Sequence, residues 1–296
     1  PSMRSPSLFW RTLLLVLLLI VASLGAWIQS FRVFERAPRA QNIAQQVVSV
    51  VNVTRAALLY SDPFVRRELL AELAADRSVR ALVLTGAGKA FCVGADLSGM
   101  QPPADGRSLG EWTRDAMVAL SNRLIEDLRG LPFPVVAAVN GPCAGAGVGL
   151  ALAADIVLAA RSSYFFLSFM PRLGIVPDLG STWFLERFVG RPRAVAMSLL
   201  GERISGEQAA QWGLVWACVD DMQLHEQAMT LAQRLAALPA HAAQEIRGIY
   251  DAAAQQDLSA QLRLEAARQR ELIDRPEFRE GVQAFLEKRE PRFAGR

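Results

Sequence analysis

The chain has 296 residues, about half of them apolar and a fifth charged, a globular composition long enough for one large domain or two modest ones. Its formal net charge of +3 comes from arginines spread along the chain, which excludes a nucleic-acid stripe. Three scattered cysteines (Cys92, Cys143, Cys218) and two histidines (His225, His241) argue against a disulfide framework and a zinc site, and suit a reducing compartment.

Leu13 to Ile28, LLLVLLLIVASLGAWI, is uncharged, with Phe9, Trp10 and Trp27 near its ends and Arg4, Arg11, Arg32 and Arg36 flanking it. It reads as a membrane span at the short end of the roughly 17–25 residues needed, so 1–40 is taken as a membrane anchor. A signal peptide is the rival, but no clear small-x-small cleavage site follows. Arginines on both sides leave the orientation open. Phe31 to Asp76 repeats its apolar residues at three and four and predicts helix, making 41–77 a helical linker.

From Val79 the texture changes to strand, glycine turn and helix, an α/β layout that occupies 78–296. RALVLTGAGKAFCVGAD is a β-like run followed by turns, and Leu109 to Leu128 is an amphipathic helix. PVVAAV (Pro134 to Val139) is a buried strand, Gly141 to Ala154 a small-residue helix, and DIVLAA another strand. Asn-Gly-Pro turn chemistry at Asn140 argues against a second membrane span there. Beyond Thr182 the pattern is helical: TWFLERFVG, RPRAVAMSLL, then SGEQAAQWG capped by Ser205, and three further helices between Gln223 and Lys288, the last opened by Asp274, Arg275 and Pro276.

NGPCAGAGVGLALAAD, from Asn140, admits three readings. A dinucleotide fingerprint needs a third glycine where Leu150 stands, and TGAGKA likewise fails as a phosphate loop because Ala90 replaces the Ser or Thr. A nucleophile elbow would use Cys143, with Asp178 or Asp220 and His225 or His241 completing a hydrolase triad. An oxyanion hole needs only uncovered N–H groups at a strand-to-helix turn, with a second donor from Gly94-Ala95-Asp96.

LVLTGAGKAFCVGADLSGM and VVAAVNGPCAGAGVGLALAADIVLAA together resemble, in order and spacing, the two oxyanion-hole motifs of the enoyl-CoA hydratase/isomerase (crotonase) superfamily. The resemblance runs from about Ser78 to Arg296. It implies stacked ββα units with a helical C-terminal region, a trimer or dimer of trimers, and an acyl-CoA thioester whose carbonyl is held by the N–H groups of Ala95 and Ala146. Lys89, Ala90, Val93, Gly94, Asp96, Leu97, Gly145, Gly149 and Met170 then line the substrate. No cofactor is implied beyond the coenzyme A of the substrate itself. The two glutamates of hydratases fall on Gly149 and Met170, neither of which can move a proton. Asp178, in FMPRLGIVPDLGSTW, is the next candidate: an apolar setting raises a carboxylate toward a working pKa. Its other role would be a turn or cap ahead of Gly180 to Thr182.

That segment, WFLERFVGRPRAVAMSLLGERISGEQAAQWGLVWACVDD and EGVQAFLEKREPRFAGR resemble the 1,2-epoxyphenylacetyl-CoA isomerase branch, which implies epoxide-to-oxepin conversion and double-bond shifts, with Phe285 and Lys288 helping to hold coenzyme A. The family's opening strands and Asn-Arg-Pro-like loop are not found before Ser78. Residues from Leu8 to about Ala74 resemble instead the part of a bacterial sensor histidine kinase that enters the membrane. The expectation is an N-terminally truncated crotonase-fold isomerase on a membrane anchor, facing the cytoplasm if active. The alternatives are an inactive fusion product, a hydratase-like enzyme and the cysteine hydrolase.

Overall fold

The computed structural model describes residues 49–54, 63–98 and 100–293. Its main sheet has five parallel strands in the order β1-β2-β3-β5-β8: β1 is Ser49–Thr54, β2 Val79–Thr85, β3 Val135–Val139, β5 Ile156–Ala160 and β8 Ala217–Val219. Val135–Val139 is a continuous apolar run because both faces are covered, and Val79–Thr85 departs from one only at Arg80 and Thr85. Side chains alternate between two cores. Leu82, Leu84, Val135, Ala137, Val139 and Val157 join one core, with Leu124 and Leu128 packed among them. Ala81, Val83, Val136, Ala138 and Leu158 face the other way, onto Leu224, Ala228, Ala232 and Ala236, which repeat every fourth residue along one helix.

A second, three-stranded sheet is formed by β4 (Cys143–Ala144), β6 (Tyr164–Phe166) and β7 (Ile204–Ser205). The helices are α1 Pro63–Ala75, α2 Leu109–Ala116, α3 Asn122–Gly130, α4 Ala146–Leu152, α5 Ser181–Leu200, α6 Gly206–Trp212, α7 Leu224–Ala236, α8 Ala242–Ala253, α9 Leu258–Ile273 and α10 Pro276–Glu287. A single π turn, Met117–Ser121, joins α2 to α3, so the helix expected over 109–128 is present. Gly190, at φ 75° and ψ 159°, breaks α5 between the two segments the sequence separates.

Three expectations are corrected. The helical reading of 41–77 fails over SVVNVT, which is β1: its β-branched residues lose rotamer freedom in a helix and favour a pleated strand. An opening strand therefore does precede Ser78, paired with β2 from Ser49↔Val79 to Thr54↔Thr85. Four helices, not three, lie between Gln223 and Lys288, because Pro239 separates α7 from α8 and Asp257 caps a new helix, accepting from the Ala260 N–H at 2.8 Å. The apolar stretch 13–28 lies outside the described residues, and among those described no helix is long and apolar enough to cross a membrane.

Asp155, the carboxylate that follows the glycine-rich stretch, is structural. It accepts from Val135 N–H at 2.7 Å and from Arg247 at 2.6 and 2.5 Å. The same guanidinium donates to the carbonyls of Arg129, Leu131 and Phe133 at 2.9, 2.5 and 2.9 Å, tying α8 to the start of β3. One planar fork thus satisfies four acceptors of a part-buried corner.

Candidate active site

Two glycine turns, each leaving a strand of the main sheet, lie side by side. Asn140 staples them: its Oδ1 accepts from Gly86 N–H at 3.0 Å and its Nδ2 donates to Gly88 O at 2.9 Å. Phe91 and Cys92 then donate to Pro142 O at 3.1 and 3.2 Å, and Ala144 returns a bond to Cys92 O at 2.7 Å. Gly145 donates to Phe166 O at 2.9 Å, fixing the second turn on β6. Gly94 and Gly145, at φ 90° and 53°, turn where side chains would be strained. A Cβ on Gly94 would lie 3.6 Å from the Ala146 nitrogen, so the two turns meet at Gly94 and Ala146, with Ala95 the next residue along the first turn.

Ala146 opens α4 and is half-buried, whereas Ala95 is exposed. Among the described residues neither N–H has an acceptor. Two unspent main-chain donors beside a small-residue floor can receive a developing negative charge.

The third component arrives from the loop after a π turn at Phe169–Leu173. Asp178 O accepts from Ser181 N–H at 2.9 Å, and Leu179 between them holds the left-handed φ of 49°, an uncommon conformation for a branched side chain. This bend presses the Leu179 backbone onto Gly149, one turn along α4 from Ala146. A Cβ at Gly149 would overlap the Leu179 carbonyl oxygen and lie 2.9 Å from its carbon. Residue 149 thus has no room for a glutamate, or for any side chain. Met170 is a thioether 39% exposed. Asp178 is half-buried, its Oδ1 is sealed from solvent with no partner, and burial pushes its carboxyl pKa up.

The remaining predicted residues divide. Lys89, Val93, Asp96 and Leu97 are exposed along the first turn, and Ala90 is half-buried. Asp96 accepts from the Ser98 hydroxyl at 2.7 Å and its N–H at 2.9 Å, which lowers its pKa and closes a local turn. Phe285 and Lys288 are exposed at the end of α10, which packs on α9. No hydrogen bond or ion pair among the described residues ties them to the glycine turns. Cys143 is fully buried, and that burial holds its thiol well above the ordinary pKa. No hydrogen bond links it to exposed His225 or half-buried His241, so the hydrolase reading is corrected: a thiol sealed in a core gives no thiolate. The sequence missed Ser181, also sealed without a partner, and Arg247, whose four acceptors lie far away in the chain.

The model of the enoyl-CoA hydratase/isomerase family matches residues 66–296. This chain belongs to that family. A second model, the periplasmic domain of sensor histidine kinase RisS, matches 40–89, which includes β1, α1 and β2 of the sheet. The chain is 43% identical over 231 residues to 1,2-epoxyphenylacetyl-CoA isomerase of Escherichia coli (strain K12), covering 77% of this chain and 86% of the relative. It is 45% identical over 232 residues to a "Probable enoyl-CoA hydratase" of Rhodobacter capsulatus, covering 78% and 88%. The crystal structure of an enoyl-CoA hydratase from Bacillus anthracis superposes with a TM-score of 0.73 at 33% identity, covering 83% of this chain and 96% of that one. A Polaromonas enoyl-CoA hydratase gives 0.75 at 30% identity, covering 84% and 97%. The fold is the family's crotonase-like α/β fold, and enoyl-CoA hydratase/isomerase chemistry is the frame for the site.

Proposed function

We propose that the chain is an isomerase of acyl-CoA thioesters, acting on enoyl-CoAs or epoxyphenylacetyl-CoA, with Asp178 as its single proton carrier. The observation that carries this is the contact at Gly149: the loop that brings a partnerless carboxylate to α4 fills the space a hydratase glutamate would need. The thioester oxygen accepts from the Ala95 and Ala146 N–H groups. Asp178 takes a proton from carbon, the electron pair moves into the thioester as an enolate, and the same proton returns at another carbon. One base with a raised pKa holds that proton between the two steps. Hydration needs a second group to direct water, and Met170 offers none.

Lys89, Ala90, Val93, Gly94, Asp96, Leu97 and Gly145 line the acyl-CoA path in this reading, and Phe285 and Lys288 grip coenzyme A from a neighbouring subunit of a trimer or dimer of trimers. Residues 13–28 anchor the chain in a membrane, with 78–296 on the cytoplasmic side where CoA thioesters are made. The match of 40–89 to a sensor-kinase domain supports a second reading, an inactive fusion product. A single-turnover assay with both thioesters separates the readings. An isomerised thioester of unchanged mass supports the isomerase, a product heavier by one water overturns it for a hydratase, and no binding of any CoA thioester favours the inactive product.

A further inference from the structure

Three buried side-chain atoms among the described residues have no hydrogen-bond partner, and two of them, Asp178 Oδ1 and Ser181 Oγ, belong to one turn. Buried serines elsewhere in the chain close their hydroxyls locally. Ser163 donates to Ala160 O at 2.7 Å, and half-buried Ser198, inside α5, donates to Ala194 O at 2.8 Å. Ser181 is as buried as a residue can be, at 0% exposure, yet does neither. The reason is its position. It is the first residue of α5, with no helical turn beneath it to supply a carbonyl, and Gly180 rather than Ser181 is the N-cap.

Both orphaned atoms are sealed from solvent, so a water cannot reach them as they stand. Their turn is closed by the Ser181 N–H on Asp178 O at 2.9 Å, which holds its ends within about 7 Å. A hydroxyl donates and a carboxylate only accepts, so each is the complement the other lacks. We propose that Ser181 is a positioning residue whose hydroxyl donates to Asp178 Oδ1 when that carboxylate carries its charge, and so sets the proton affinity of the base. The proposal rests on the reading of Asp178 as the proton carrier. Burial raises the Asp178 pKa, and a hydrogen bond to the charged form opposes that rise.

The test is Ser181→Ala in the whole chain, read by carbon-13 NMR titration of the Asp178 carboxyl, assigned by its loss in Asp178→Asn. In acid, where Asp178 is protonated and the hydroxyl is an orphan, alanine should melt no lower than the parent, whereas at neutral pH it loses the bond to the charged carboxylate and should melt lower. The expected result is an Asp178 midpoint moved to higher pH. The acidic limb of kcat/KM should move with it, giving a several-fold loss of turnover on the acidic side, with KM unchanged. An unmoved midpoint overturns the proposal, since a serine that only packs would leave the titration alone. If the midpoint moves but Asp178→Asn turns over as the parent does, the Ser181–Asp178 pairing stands and the base assignment fails. If Asp178→Asn is inactive and the midpoint is unmoved, the assignment stands and the pairing fails.

Discussion

One methyl group at Gly149 should cost more in catalysis than in stability. In Gly149→Ala the new Cβ would lie 2.9 Å from Leu179 C and 3.0 Å from Leu179 Cβ, and overlap Leu179 O. Ordinary contacts between carbon atoms begin near ~3.5 Å, so the Asp178–Gly180 bend or α4 must retreat by roughly 1 Å. Overpacking of this kind costs about 1–3 kcal/mol. Replacing glycine inside a helix returns about 1 kcal/mol of propensity. The net, roughly 0–2 kcal/mol, lowers the melting temperature by only a few degrees at this chain length. The same 1 Å displacement carries Asp178 away from the Ala146 turn, and misplacement on that scale costs about 10²-fold in rate. Calorimetry and single-turnover kinetics on one preparation compare the two effects. A variant that turns over within a few-fold of the parent would refute the placement of the Asp178 loop against α4.

Ala146→Gly should be mild, whereas Ala146→Val crowds the bound carbonyl and should cost about 10²-fold in single-turnover rate, the scale of one lost oxyanion donor. Cys143 should resist iodoacetamide in the native chain, as mass spectrometry would report, and react only after unfolding. Arg247→Ala leaves Asp155 and three main-chain carbonyls without their half-buried donor and should cost roughly 1–3 kcal/mol in urea unfolding. Burial raises the pKa of folded Asp178 above its unfolded value, so its contribution to stability is present below the ordinary carboxylate range and lost as pH rises through the folded value. Asp178→Asn should therefore gain stability relative to the parent at neutral pH and lose that advantage in acid, measured by urea unfolding across pH.

The α/β layout was legible because strand-like runs such as PVVAAV and DIVLAA alternate with glycine turns and helical stretches, and the closeness of the two turns because Gly94 and Gly145 mark where the chain bends. Ser49–Thr54 was not legible as a strand: its valines also fit the helical spacing of their neighbours, and only pairing with Val79–Thr85 decides between them. The vacancy at Gly149 was readable as a missing carboxylate, but not its cause, since the left-handed bend at Leu179 leaves no mark in the local sequence. Ser181 looked like one polar residue in a capping turn. Its orphaned hydroxyl depends on which residue becomes the N-cap, a matter of one position that periodicity does not resolve.

The most direct test of the account compares the parent chain with Asp178→Asn in a single-turnover assay on the same CoA thioester, with binding measured alongside. The account predicts that the thioester still binds, held by the main-chain donors of Ala95 and Ala146, while isomerisation slows by roughly 10²–10⁴-fold. Isomerisation at the parent rate would contradict it, because no carboxylate at Gly149 or Met170 exists to take over the proton.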